Sequence, residues 1–247
     1  MGEKAAGGSS VSQHHLPAPP GEIVTAVKEA SQRLEASVAQ LDDRALAEPT
    51  ILPGWTRGHV VAHLTHNADA FFEVTAAALE GALRRTYPGG VDARDSAIER
   101  HAGRAAAEAI AGLRAAHRRL HDLWDSRSDD DWRLPVLFRN GVLAHLLAAR
   151  WREVEIHHTD LDVGYPPSLW SPAFSHHAID FLLPRLAAGE AVELIATDTA
   201  GSWQSGPESA VKIRGKAHQL AAWLAGRTAP TALEVSAADA PALGPWP

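Results

Sequence analysis

The sequence predicts an α+β protein with an N-terminal four-helix bundle and a smaller C-terminal α/β part. Between residues 21 and 163 the apolar residues recur at the three- and four-residue spacing of amphipathic helices. After Tyr165-Pro166-Pro167 the pattern changes to short segments rich in Val, Ile and Leu, which alternate with helical ones. Helices followed by mixed strands and helices are typical of two units. We therefore expect a bundle over residues 21–165 and a C-terminal domain over residues 166–247.

Four long helices are predicted for the bundle, and they cover residues 21–41, 59–80, 92–126 and 142–163. Thr56 is the expected N-cap of the second helix, because a short hydroxyl side chain ahead of an apolar-periodic run marks a helix start. The sequences Tyr87-Pro88-Gly89-Gly90 and Asn140-Gly141 interrupt the pattern as turns. This arrangement favours an up-and-down bundle.

The remaining elements are shorter. Helices are predicted over residues 171–187 and 215–225, and strands over residues 191–197, 209–214 and 233–236. Residues 1–20 are rich in Gly, Ser, His and Pro and contain no apolar core, so we interpret them as a disordered leader rather than a secretory signal.

The composition excludes several classes of function. A formal charge of −7 argues against a general nucleic-acid binder, which needs clustered Lys and Arg. No apolar stretch is long enough to span a membrane. Because no secretory signal is recognised, we expect a cytoplasmic protein. We also expect a monomer. The chain has no cysteine and 14 histidines, so imidazole and carboxylate are its available metal ligands. Any sulfur chemistry needs an external thiol.

Helical phase places three potential metal ligands together. On the fourth helix Glu153 and His157 fall on the same stripe as the apolar residues, while Glu155 and His158 point about one hundred degrees away. A carboxylate and an imidazole at i and i+4 can converge on one ion. His63 lies beside the apolar line of the second helix and would add the third ligand. Such a His₂Glu set is the ligand count of a catalytic zinc site.

Simpler interpretations remain open for these residues. Glu153 could pair with Arg150 or Arg152, and either histidine could be a hydrogen-bonded core residue. His59 and His63 could also chelate a metal together, with a third ligand that the sequence does not identify. We expect surface positions for the remaining polar residues near these segments, namely Arg57, His59, His14-His15 and His176-His177.

Two segments resemble a known family. The stretch from Gly54 to Leu64, which reads GWTRGHVVAHL, resembles the metal-binding helix of the DinB-like superfamily in its mycothiol-dependent maleylpyruvate isomerase branch. The stretch from Arg152 to Leu161, REVEIHHTDL, resembles the second ligand segment of that branch. The resemblance implies that His63, Glu153 and His157 bind a divalent metal, with zinc favoured, and that mycothiol is a cofactor.

The likeness continues to the C-terminus. Residues 215–227, ending AAWLAGR, resemble the closing helix of the sterol-carrier-like domain of that branch, and the ending Gly244-Pro245-Trp246-Pro247 resembles its tail. The resemblance implies a role in activity for Arg227, which could hold a substrate carboxylate or could be a solvated residue at the helix end. Asp160, one turn beyond His157, could position a ligand or the thiol, or could pair with an arginine.

These observations leave three possible functions. The first is a cis-trans isomerase that converts maleylpyruvate to fumarylpyruvate in gentisate breakdown, because a thiolate can add to a conjugated double bond, allow it to rotate, and leave. The second is an S-transferase that conjugates mycothiol to an electrophile. The third is a non-catalytic binding module that uses the bundle as a scaffold.

Overall fold

The computed structural model describes residues 16–186, 191–206 and 211–247, and it confirms the α+β class. The helices are α1 Pro20–Val38, α2 Asp43–Ala47, α3 Arg57–Leu79, α4 Gly90–Ala102, α5 Ala106–Asp125, α6 Ala144–Asp160, α7 Pro172–Leu182 and α8 Ala217–Leu224. The strands are β1 Val192–Ala196, β2 Ser202–Ser205, β3 Val211–Gly215 and β4 Glu234–Val235. Among the described helices, none is both long and apolar enough to cross a bilayer.

Helices α1, α3, α5 and α6 form the bundle, with a continuous apolar core between them. Helix α1 packs beside α5 and α6, and α3 packs beside the same two helices, so α1 and α3 lie diagonally across the bundle. The predicted up-and-down arrangement is therefore wrong, because it requires the first two bundle helices to be neighbours. The connection over residues 39–56, which contains α2, is long enough to cross the end of the bundle.

The single helix predicted over residues 92–126 is also wrong, because α4 ends at Ala102 and α5 begins at Ala106. Helix α4 packs against α3 at Gly58, where an added Cβ would lie 2.1 Å from the carbonyl oxygen of Ala102. The backbone amide of Ala106 then donates to Oδ1 of Asp43 at 2.6 Å, which satisfies one free amide at the start of α5. Tertiary contacts at both ends thus interrupt a sequence that is helical by pattern.

The C-terminal strands form one sheet in the order β2-β1-β3-β4. Strand β1 pairs in parallel with β3 and antiparallel with β2, and β3 pairs antiparallel with β4. Helices α7 and α8 pack together, and α8 also contacts β1 and β3. Strand β2 was not predicted, because Trp203 is its only strongly apolar residue. Helix α7 ends before the predicted residue 187, at Leu182, where a short 3₁₀ turn contains Pro184.

Parts of the sequence predictions fall outside the described residues. These are residues 1–15 of the expected leader, with His14-His15, and residues 209–210 at the start of the strand predicted over 209–214. Within the described residues, Leu16 and Ala18 are partly buried against the core, and α1 begins at Pro20.

Candidate metal centre

Three side chains from two helices meet at one edge of the bundle. His63 comes from α3, and Glu153 and His157 come from successive turns of α6. Nε2 of His63 lies 2.7 Å from Oε2 of Glu153, and Nε2 of His157 lies 3.5 Å from the same oxygen. One ligand atom from each residue lies within 4.8 Å of the other two. These are the three residues that the sequence selected, and neither Arg150 nor Arg152 is the partner of Glu153.

Glu153 lies between two imidazoles, and these three side chains shift one another's pKa values. Burial lowers the pKa of His63, which therefore stays neutral beside the carboxylate. Burial raises the pKa of Glu153, but His63 and His157 outweigh that effect and hold it well below its usual value. Burial also lowers the pKa of His157, while its bonds to Asp160 and Glu153 more than offset this and raise it to about 9. An ionised carboxylate between two imidazoles is a donor set that fits a divalent metal.

Asp160 orients His157 from behind. Nδ1–H of His157 donates to Oδ2 of Asp160 at 2.8 Å, which leaves Nε2 on the side of Glu153 and His63. Asp160 is completely buried, and its second bond is a two-point ion pair with Arg227 at 2.7 and 2.8 Å. A carboxylate behind a ligating imidazole fixes its orientation and raises its basicity. Asp160 therefore contacts both His157 and Arg227, and its pairing with an arginine is one of the two alternatives predicted from the sequence.

Arg227 reaches Asp160 because the chain turns sharply after α8. Gly226 has a φ of +70°, and the amide of Arg227 donates to the carbonyl oxygen of Ala222 at 2.9 Å, as expected for a helix that ends in a left-handed glycine. The Arg227 side chain is 15% exposed. It is therefore not a solvated residue at a helix end, and its fork is occupied by a carboxylate of the protein.

We expect Asp160→Asn to weaken metal binding by roughly 10- to 100-fold, because the imidazole of His157 loses its buried anionic partner. The affinity for zinc, measured by competition with a chromogenic chelator, checks this. The matched control is Asp162→Asn, since Asp162 is exposed and has a φ of +52°, which asparagine tolerates. Equal affinities for wild type and both variants would contradict a positioning role for Asp160.

A cavity of about 590 Å³ opens onto the three side chains. It lies between α3, the turn before α4, α6, and residues near the C-terminus. Its charged and aromatic lining residues include Tyr87, Arg94, Phe138, Arg139, Arg152, Phe181, Arg227 and Trp246. The volume is in the range typical of small-molecule sites. The triad thus faces a space that can admit a substrate.

Most of these lining residues were missed from the sequence. Tyr87 was read as part of a turn, and Trp246 as part of a tail, yet both contribute to the cavity wall. Phe181 and Trp246 contact each other, with ring centroids 6.2 Å apart, although they lie far apart in the chain. The only signal available was the resemblance of the last four residues to the family's tail.

Glu155 and His158, which are predicted to point away from the stripe that carries Glu153 and His157, contact α1 and Tyr165 instead of the triad. Both are 1% exposed. Glu155 accepts bonds from the hydroxyl of Tyr165 at 2.6 Å and from Arg33 at 2.9 Å, and His158 bonds Ser37 at 2.8 Å. Both are buried because α6 packs against α1 on one side and α3 on another, so more than one face of it is covered.

Three predictions of surface positions are wrong, because Arg57, His59 and His177 are held by contacts within the fold. Arg57 donates to the carbonyl oxygen of Leu161 at 2.8 Å and is only 13% exposed. His59 folds back onto the helix start, where its Nδ1 accepts the amide of Thr56 at 3.1 Å. His59 is therefore a capping residue, and it is not part of the metal-ligand cluster. His177 is buried and accepts a bond from Arg152 at 2.7 Å.

Comparison with known proteins finds a family model and two similar crystal structures. Residues 27–162 match the family model described as the mycothiol maleylpyruvate isomerase N-terminal domain. A crystal structure of the mycothiol-dependent maleylpyruvate isomerase is similar, with a TM-score of 0.84 and 22% sequence identity over 93% of this chain and 98% of that one. A histidine-to-alanine variant of the same enzyme gives a TM-score of 0.83 at the same identity and coverage. No curated protein sequence matches the chain significantly.

Proposed function

The chain belongs to the mycothiol maleylpyruvate isomerase family, as the match over residues 27–162 shows, and we propose that it is a thiol-dependent cis-trans isomerase. Its substrate would be maleylpyruvate or a closely similar unsaturated acid, and its product the trans isomer, as in gentisate breakdown. The observation that carries this proposal is the triad of His63, Glu153 and His157 at the base of a substrate-sized cavity.

His63, Glu153 and His157 would hold a divalent metal, with zinc favoured by the two nitrogens and one oxygen. When bound, the metal supplies a Lewis acid that stabilises a thiolate or polarises a carbonyl. Asp160 keeps Nε2 of His157 turned toward Glu153, and Arg227 neutralises the charge of Asp160. The proposed catalytic roles of Asp160 and Arg227 are therefore to position His157.

The nucleophile has to come from outside the chain, because the sequence contains no cysteine. A small thiol, mycothiol by family, supplies the sulfur that adds reversibly to the double bond. The apolar wall around the triad, which includes Phe71, Ile156 and Phe181, would exclude water from the bound reactants. We also propose that the bundle over residues 21–165 supplies the metal ligands and that the C-terminal domain, through Arg227, completes the site.

The experiment is a turnover assay with maleylpyruvate and mycothiol, in which both the substrate and the free thiol are followed. We expect many substrate molecules to be converted per thiol, with the thiol concentration unchanged, because an isomerase returns its nucleophile. His63→Ala, which removes a proposed ligand, should abolish turnover, whereas Arg118→Gln, at an exposed position of α5, should not.

Consumption of one thiol per substrate molecule would instead establish an S-transferase. If the substrate is neither isomerised nor conjugated to the thiol, catalysis on this substrate is refuted.

A further inference from the structure

Two arginines of the cavity wall have no carboxylate side chain as a partner. The charged groups that line the cavity are four arginines, Arg94, Arg139, Arg152 and Arg227, with one carboxylate, Glu153. Arg227 is paired with Asp160, and Arg94 lies 3.4 Å from Asp95. In the described part of the chain no Asp or Glu lies within ion-pair distance of Arg139 or Arg152. The cavity is therefore locally positive in a protein whose net charge is −7.

Arg152 is held in place by uncharged groups. Its Nη1 donates to Nε2 of His177 at 2.7 Å, and its guanidinium lies 3.6 Å from the ring centroid of Phe181. Burial lowers the pKa of His177 to about 3, so this imidazole is neutral and can accept the bond. His177 in turn stacks on Trp151 with 10° between the ring planes. These contacts fix the guanidinium but do not neutralise it.

Arg139 lies against the same aromatic ring. Its guanidinium is 5.1 Å from the centroid of Phe181, and its Nη2 donates to the main-chain oxygen of Pro247 at 2.8 Å. Phe181 is thus shared by two guanidinium groups of the same charge. Arg152 is partly buried whereas Arg139 is exposed, so the repulsion between the two like charges is least screened at Arg152, where an anion would offset it.

We propose that Arg152, assisted by Arg139, binds a carboxylate of the substrate while the reacting part of the molecule lies at the triad. The inference rests on the proposed function, and it concerns which residues recognise the acid. Arg152 directly precedes the ligand Glu153 on α6, and both line the same cavity. A guanidinium fork matches a carboxylate at two points. Arg227, which the sequence offered for this role, uses its fork on Asp160.

Binding can be tested without turnover by calorimetry of the metal-loaded protein with maleate and with maleamate, its monoamide. We expect Arg152→Gln to weaken maleate binding by roughly 10- to 100-fold, because the variant loses a charge-assisted pair. The maleate affinity of Arg152→Lys should lie between those of wild type and Arg152→Gln, since lysine keeps the charge but loses the two-point guanidinium geometry. Arg139→Asn, at an exposed position with a φ of +52°, should give a smaller loss without disturbing the core.

The ratio of maleate affinity to maleamate affinity identifies the contact. Wild type should prefer the diacid, and Arg152→Gln should lose most of that preference while Arg118→Gln keeps it. Metal content and melting temperature are measured for each variant, so that a loss of binding is compared only between folded, metal-loaded proteins. If Arg152→Gln retains the wild-type affinity and preference, the proposed carboxylate site is wrong.

These outcomes also separate the inference from the proposed function. A protein that binds maleate through Arg152 but does not isomerise maleylpyruvate has the carboxylate site and a different reaction. A protein that isomerises the substrate with mycothiol, while Arg152→Gln leaves maleate affinity unchanged, has the reaction and recognises the acid elsewhere.

Discussion

Replacing Glu153 with glutamine is expected to remove the metal and the activity together. The substitution keeps the size of the side chain but removes the negative charge that lies between His63 and His157. A neutral amide is a poor ligand for a divalent ion, and two imidazoles alone make an incomplete site. Because a bound metal contributes several kcal/mol to stabilising a transition state, turnover should fall by about a thousandfold or more.

Elemental mass spectrometry of the purified proteins measures the first effect directly. Wild type should carry close to one zinc ion per chain, and Glu153→Gln should carry far less. Glu155→Gln is the control, since Glu155 is a second carboxylate of α6 and bonds Tyr165 and Arg33 instead of the triad. Its metal content should equal that of wild type, with melting temperature as the folding check. A wild type that binds no metal even after reconstitution would refute the site.

The protein is expected to unfold in mild acid, because several buried histidines are neutral in the folded state. Burial lowers the pKa of His117 and His158 to about 4 and that of His121 and His177 to about 3. In the unfolded chain these groups titrate near 6.5. Between those values the unfolded state binds more protons than the folded state, so stability falls as the pH is lowered below 6.5.

The expected effect is large. Each histidine contributes up to about 1.4 kcal/mol per pH unit, so four together remove up to about 8 kcal/mol by pH 5. That is comparable with the total stability of a typical domain, about 5–15 kcal/mol. Metal-free protein is used, because acid would also displace a bound metal. The depressed pKa values of Glu153 and Asp160 lose their stabilising effect only at lower pH, below the unfolded values of carboxyl groups.

Denaturant unfolding followed by tryptophan fluorescence at pH 7, 6.5, 6, 5.5 and 5 gives the slope of stability against pH. His158→Gln should reduce that slope by about one quarter, since one of four protons is no longer taken up. Glutamine can keep a bond to Ser37, which lies 2.8 Å from Nε2 of His158. Stability that is unchanged from pH 7 to pH 5 would contradict neutral burial of these histidines.

The fold class and the three candidate ligands could be predicted from the residue pattern. Apolar spacing located α1, α3 and α6 to within a few residues, and it placed Glu153 and His157 one turn apart on the same helix. Such predictions succeed because the periodicity of a helix is set by its backbone geometry, which every residue in the segment shares. Helical phase also offered His63 as the third ligand, and the family resemblance supported that choice, since local pattern alone does not join two distant helices.

The side chains that surround the triad could not be predicted, because they come together through packing. Arg227 pairs with Asp160, and the ring of Phe181 contacts the guanidinium groups of Arg139 and Arg152. In each case the contacting residues come from segments that are distant along the chain. Helical phase gives the direction of Glu155 but not its burial, which arises because α6 is covered on more than one face. These contacts depend on how helices pack and where loops turn, as at Gly226, and not on the local preference of any residue. The candidate ligands on α6 follow from local geometry, whereas the residues that contact them and line the cavity follow from packing.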